Sequence, residues 1–379
     1  MKIALVTNIL TPYRMRFYTE LSNQLQNIGG ELKVFVMTSQ LPLRPWTYEG
    51  LKSDFTELLP GKKIMIKGQD ILFNGSISRK IMEFNPSVVI LAGSWTYPTA
   101  WKMMLNKNEG TRYYFWTESH NVRATPQASK GGLVFAAKKK FYNLFDGFCA
   151  PGKYAMDTID GIVGGYGRRV RLPNLVDDEY YKEANIMRSK KGQIKSEYGI
   201  PEDKLLFVTP ARLIQIKGMN TFLRKIVNNP YAESAVFILA GEGELETELK
   251  SIAQEYGIDI RLMGYCNQDT IRKLYAAADY FLLPSLQDAN PLTAIEAAFA
   301  GLPLCVSHYV GNSPELVSNK VNGVVFDTVD DISVNEAFNF LMQVPSEWRH
   351  EAGKKSLKIA SENFACKVET HHLIEQLSE

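Results

Sequence analysis

One rhythm constrains this chain more than anything else in it. Short, continuous apolar runs recur from end to end, separated by longer stretches with helical spacing. A run that is apolar throughout, instead of alternating, belongs to a strand buried on both faces, and parallel sheets covered by helices bury strands in that way. In the first half the runs are Ile3–Thr7, Leu32–Met37, Val88–Ala92, Tyr113–Trp116 and Gly147–Ala150. In the second they are Leu205–Thr209, Val236–Ala240, Ile260–Met263, Tyr280–Leu283, Pro303–Val306 and Val324–Phe326. Each series predicts its own sheet. The expected class is α/β: two Rossmann-like, doubly wound domains facing each other across a cleft, with ligands beyond the carboxyl ends of the strands.

A chain of 379 residues has room for two such domains. The expected division is a first domain over 1–175, a linker over 176–203 and a second domain over 204–355, with a terminal helix at about 356–379 returning to the first. The linker expectation rests on Pro173-Asn174, the charged Asp177-Asp178-Glu179 and Lys190-Lys191-Gly192, with little apolar periodicity before Tyr198.

Apolar residues at 45% and charged residues at 22% exclude disorder and fibrous architectures. No apolar stretch is long enough to span a membrane, and the run Met1–Val6 breaks at Thr7-Asn8, too soon for a signal peptide, so a cytoplasmic protein is expected. Cys149, Cys266, Cys305 and Cys366 are widely spaced, which predicts neither a disulfide framework nor a metal site. The net charge of +2 hides a split: residues 1–175 carry 23 Lys and Arg against 12 Asp and Glu, the remainder 20 against 29. A basic first half fits an anionic partner, whether nucleic acid, an acidic substrate or a membrane surface; scattered solvated lysines would give the same arithmetic. Lys138-Lys139-Lys140 closes the apolar stretch from Leu133, and it reads either as a basic amphipathic helix for an anionic membrane or as a solvated face.

Several segments at expected strand ends carry chemistry. Arg212 and Lys217 follow the strand Leu205–Thr209, where a guanidinium fork and a point charge could clamp a diphosphate or simply face solvent. Gly241-Glu242-Gly243-Glu244 follows the next strand as a tight turn; it lacks the third glycine of a dinucleotide fingerprint, and no phosphate-binding loop of the G-x-x-x-x-G-K-[ST] type occurs. The segment Pro284-Ser285-Leu286-Gln287-Asp288-Ala289-Asn290-Pro291-Leu292-Thr293 leads into a helix expected from Pro291 to Ala300, whose free N–H groups at Leu292 and Thr293 suit an anion. Glu296 lies further along that apolar helix and needs a partner: a vicinal diol, or an internal Arg or Lys.

Arg212-x4-Lys217-Gly218, the Gly264 turn, Tyr275-Ala276-x-Ala278-Asp279, Pro284-Ser285, Asp288-x7-Glu296-Ala297 and Gly301-x-Pro303 together resemble the retaining nucleotide-sugar glycosyltransferases of family four, which have the GT-B fold. The likeness runs from about Leu205 to Asp327. It implies that Arg212 and Lys217 hold the leaving diphosphate, Glu296 the ribose hydroxyls, and Gly264-Tyr265 the base through the backbone. Gly241, Ser285, Asn290, Pro291, Leu292 and Thr293 would complete the donor site. Asp288 departs from the family, standing where a glutamate is usual; as a contact to sugar hydroxyls it reaches about one methylene less.

In the first half the resemblance is looser. Asn8, Thr11, Pro12, Tyr13 and Arg14 replace the family's usual glycine-rich loop as the acceptor-side loop, and His120 resembles the histidine beside the anomeric carbon, with Glu118 as the competing residue. The resemblance implies a metal-independent hexosyltransferase without a cofactor. Its expected donor is a UDP-hexose, UDP-glucose first, and its expected acceptor a saccharide or lipid-linked hydroxyl in polysaccharide, glycolipid or lipopolysaccharide synthesis. Peripheral contact with the inner face of an anionic membrane is expected and nucleic acid is not. A GT-B nucleotide-sugar epimerase and a non-catalytic nucleotide-sugar-binding subunit are the alternatives.

Overall fold

The computed structural model describes residues 1–41, 46–66, 69–125 and 132–379. The chain divides into two compact units. One is built from Met1–His120, Gln127–Val176 and Cys366–Glu379, the other from Asn121–Pro126 and Asp177–Ala365.

The first unit contains strands β1 (Lys2–Thr7), β2 (Glu31–Val36), β3 (Thr56–Leu58), β4 (Lys62–Ile66), β5 (Gln69–Phe73), β6 (Val88–Ala92), β7 (Arg112–Trp116), β8 (Gly147–Ala150) and β9 (Arg168–Arg171). Seven of them form one parallel sheet in the order β3-β2-β1-β6-β7-β8-β9. Alternation along β1 divides the core: Ile3 and Leu5 face helices Pro12–Asn27 and Cys366–Ser378 through Phe17, Leu21, Leu373 and Leu377. Ala4 and Val6 face the other layer, with Ile77, Ala100, Phe141 and Ile159 from the helices that follow β5, β6, β7 and β8. On that second layer β4 and β5 form a separate antiparallel hairpin.

The second unit holds β10 (Leu205–Pro210), β11 (Ala235–Ala240), β12 (Asp259–Leu262), β13 (Tyr280–Leu283), β14 (Leu304–Ser307) and β15 (Gly323–Phe326). They too run parallel, in the order β12-β11-β10-β13-β14-β15. Phe207, Phe237, Tyr280 and Phe338 stack through its core, with ring centroids 4.9 to 6.3 Å apart. The strand order reverses between β10 and β13, the place in an open parallel sheet where a crevice forms at the carboxyl edge.

Both expected sheets form, each expected strand lying within one residue of its bounds, and the first gains β3 and β9, which were not expected, at its edges. The stretch 176–203, expected as a linker, instead folds as helices of the second unit. The Asp177 side chain accepts from the Tyr180 N–H, and Asp178 and Glu179 occupy the first turn of Asp178–Met187, where acidic residues favour the helix dipole. Tyr181 and Ala184 are buried, and Arg188 donates to the carbonyls of Tyr275 and Ala278 at 3.0 and 2.9 Å. Charges that read as solvated linker are cap and anchor. The returning segment is also shorter than expected: Ser346–Asn363 is a helix of the second unit, and only Cys366–Glu379 belongs to the first.

Candidate functional site

In the second unit the expected donor residues gather at the carboxyl edge, around the reversal of strand order. After β10 the chain passes Arg212, which is exposed, and makes a 3-10 turn over Gln215–Lys217 before the helix Met219–Ile226. Lys217 therefore sits just ahead of that helix, separated from it by Gly218 in the left-handed region. Gly218 is required twice over: its φ is +67°, and a Cβ there would meet the Pro284 carbonyl oxygen at 2.1 Å. That close approach brings the loop after β10 against the loop after β13, and Lys217 forms an ion pair with Asp288 across the reversal point. A cation ahead of a helix needs a nearby anion. Without ligand, Asp288 supplies it.

Asp288 is held by its backbone, with its N–H donating to Tyr309 at 3.2 Å and its carbonyl accepting from Gly311 at 2.7 Å. The Ser285 hydroxyl lies 3.4 Å from Oδ2 of Asp288. The next helix starts one residue later than expected: Pro291 is its N-cap, and Leu292–Phe299 is helical. Proline lacks an N–H, so Leu292 and Thr293 supply the first free donors. Asn290 is buried beside them, 6% exposed, with neither amide atom hydrogen-bonded. The Pro291 carbonyl accepts from Asn312 at 3.0 Å.

Among the described residues Glu296 meets neither an Arg nor a Lys. Its Oε2 lies 3.1 Å from the Tyr275 hydroxyl, and Tyr181 stands beside it. Burial pushes the Glu296 carboxyl up to about 7, and the two tyrosine hydroxyls only partly offset the shift. The Tyr275 hydroxyl also lies 3.1 Å from the Thr293 carbonyl oxygen. One phenolic proton cannot serve both acceptors, so a neutral Glu296 donating to Tyr275, which donates to Thr293, satisfies the trio.

Gly241, which follows β11, and Gly264, two residues past β12, form an isolated bridge with each other. A Cβ at Gly241 would meet the Ala211 carbonyl at 2.1 Å, so the Arg212 segment packs directly on this turn. Sequence reasoning assigned no role to Glu242. Its Oε1 accepts from the Tyr265 N–H at 3.3 Å, and so holds one of the backbone groups expected to read a base. Its place inside the Gly241–Glu244 turn was the available signal.

In the first unit, Asn8, Thr11, Pro12, Tyr13 and Arg14 do not all lie in a loop. Thr11 is the N-cap of Pro12–Asn27, so Pro12, Tyr13 and Arg14 form its first turn, with Pro12 where its missing N–H costs nothing. The Arg14 guanidinium donates to Glu118 at 3.1 Å and to the Thr7 hydroxyl at 3.3 Å, and lies 4.8 Å from the Trp116 ring. The first turn of this helix and Glu118 are thereby joined. His120 is buried, its ring tilted against Tyr154 at 5.8 Å. Among the described residues no group of three or more His, Cys, Asp or Glu side chains could hold a metal ion.

Residues 190–358 match the family model described as glycosyl transferases group 1. The chain is 30% identical over 202 residues to UDP-Gal:alpha-D-GlcNAc-diphosphoundecaprenol alpha-1,3-galactosyltransferase of Escherichia coli, covering 52% of this chain and 48% of the relative. It is 23% identical over 256 residues to alpha-monoglucosyldiacylglycerol synthase of Streptococcus pneumoniae, covering 65% and 57%. The chain thus spans about half the length of these curated relatives. Among solved structures, Anabaena HepE in complex with UDP superposes with a TM-score of 0.74 at 15% identity, over 100% of both chains. That likeness is one of fold.

Proposed function

We propose that this protein moves a hexose from a UDP-sugar to a hydroxyl acceptor with retention at the anomeric carbon, a reading supported by the match of residues 190–358 to the group 1 glycosyl transferases and by the GT-B fold of two Rossmann-like units. The observation that carries the reading is the pairing of Lys217 with Asp288 across the strand-order reversal, ahead of a helix N-terminus with two free N–H groups. A diphosphate bound there would draw Lys217 from Asp288 toward the leaving group, freeing the Asp288 carboxylate for sugar hydroxyls. Arg212, exposed and without an ion pair among the described residues, would close on the same diphosphate.

The bond from the anomeric carbon to the diphosphate oxygen breaks ahead of full bonding to the acceptor, through an oxocarbenium-like state. The departing phosphate takes the acceptor proton on the same face. Arg212, Lys217 and the donors at Leu292 and Thr293 stabilise the charge developing on the leaving group, a role worth about 3 kcal/mol per well-placed donor. These cations do what a metal would otherwise do, so the reaction is expected to proceed without one. Glu296 accepts from the ribose hydroxyls, and Gly264-Tyr265 with Glu242 borders the base. Arg14, Glu118 and His120 belong to the acceptor-binding side. The acceptor is a saccharide or a lipid-linked hydroxyl, at the cytoplasmic side of a membrane.

A melting-shift screen over nucleotide sugars tests the donor, since a ligand at 100 times its Kd stabilises by about 2.7 kcal/mol. UDP-hexoses should raise Tm most. Product analysis by NMR should then show an α-linked sugar on the acceptor. Interconversion of the nucleotide sugar without acceptor would replace the reading with an epimerase, and binding without turnover would replace it with a sugar-nucleotide-binding subunit.

A further inference from the structure

Much of the apolar surface that the first unit leaves uncovered lies on one of its two layers. In the hairpin, Ile64 pairs with Ile71 and Lys62 with Phe73. Side chains alternate along a strand and directly paired residues share a face. Ile64, Ile66, Ile71 and Phe73 therefore stand on one face, while Leu72, buried in the unit's core, stands on the other. The first face is turned from the core: Ile64, Ile66 and Phe73 are 57%, 54% and 43% exposed, and Met65, on the face of Leu72 but beyond the core, is 62% exposed. The root of the hairpin is fixed, because the buried Asn74 side chain donates to Met37 at 2.9 Å and Thr99 donates to the Leu72 carbonyl at 2.9 Å.

Helix Gly132–Tyr142 leaves a second apolar projection on the same layer. Only Phe141 and Tyr142 are buried, whereas Leu133 is 89% and Phe135 47% exposed. The helix Pro98–Leu105 lies between the projections, bonding the hairpin through Thr99 and holding Trp101 at 5.0 Å from Phe141. Both projections carry cations: Lys62 and Lys63 against a single Asp70 on the strands of the hairpin, and Lys138, Lys139 and Lys140 on the helix, which has no acidic residue.

A hairpin with an exposed apolar face is marginal in water, and soluble proteins rarely leave such surface uncovered. What covers it must accept apolar side chains on two separate projections and lysines beside both. A bilayer interface conforms to both and pairs the lysines with anionic head groups, their stems lying along the apolar surface. We infer that this layer of the first unit docks on an anionic lipid surface, the hairpin and helix Gly132–Tyr142 inserting their apolar side chains at head-group level. The inference takes its purpose from the lipid-linked acceptor proposed above, but its test is independent of turnover.

Flotation of the full chain with phosphatidylcholine vesicles, with and without phosphatidylglycerol, is the experiment. Binding is expected only with phosphatidylglycerol at low salt. Ile64→Ser with Ile66→Ser, and Leu133→Ser with Phe135→Ser, should each weaken it about tenfold or more. Lys139→Gln with Lys140→Gln changes only exposed side chains and should weaken it less, by a margin that added salt erases. Donor hydrolysis without vesicles should stay at the wild-type rate in all three variants. The inference is overturned if the wild type ignores anionic vesicles at low salt, if the apolar variants bind them unchanged, or if the wild type is a dimer that these substitutions dissolve, which would make a second copy the occupant. Vesicle binding without any sugar transfer would overturn the proposed chemistry instead and leave the docking surface standing.

Discussion

Glu296 carries the most testable chemistry at the scale of single residues. Its carboxyl is raised from 4.5 to about 7, so between those values the folded protein holds a proton that the unfolded chain has released. This group therefore favours the folded state fully below about pH 4.5, and its contribution is lost as pH rises through 7. Donor binding runs the other way if the ionised carboxylate accepts from the ribose: affinity should fall about tenfold per pH unit below 7, with proton release on binding. Calorimetry in buffers of different ionisation enthalpy would detect that proton. Glu296→Gln should weaken the donor by about 1.5 to 3 kcal/mol and abolish the pH slope; a slope that survives would assign it to another group. For the ion pair, a double-mutant cycle of Lys217→Ala and Asp288→Asn on stability should give a coupling of about 0.5 to 3 kcal/mol. On turnover, Lys217→Ala and Arg212→Ala together should lose less than the sum of their separate effects, and strict additivity would place them at separate groups. Of the two tyrosines at Glu296, Tyr275 lay in a motif the sequence shows, but Tyr181 could not be read from it, because it lies 115 positions upstream in a stretch that read as linker.

Among the elements, legibility followed burial. The inner strands of both sheets are apolar on both faces and announce themselves. Edge strand β9 reads Arg168-Arg169-Val170-Arg171, and β4 reads Lys62-Lys63-Ile64-Met65-Ile66 with every side chain exposed; neither presents the uninterrupted run that a buried strand must. The turns of the site were legible as glycines, but their reason was not, since it lies in the carbonyl each one touches. Gly218→Ala would add strain at positive φ to a contact at 2.1 Å with Pro284, and should cost about 2 to 3 kcal/mol by urea titration while weakening donor binding. Unchanged stability would mean that the two loops do not depend on that approach.

At the level of the whole molecule, no helix among the described residues is long and apolar enough to cross a membrane. Residues 366–379 return to the unit that holds residues 1–120. Cys366–Ser378 buries Leu373, Ile374 and Leu377 in the first unit and pairs Glu369 with Arg171. Burial of three such side chains contributes about 5 to 9 kcal/mol. Truncation after Ala365 should therefore lower the melting transition of the first unit and leave that of the second in place, and equal shifts of both would show that the helix serves the two alike. The same closing helix sets an order on synthesis. A ribosome delivers 177–365 as one continuous stretch before it delivers the piece that completes the unit to which residues 1–120 belong. Units usually mature in the order they emerge; here the first to appear stays short of one helix until all of the second has been made.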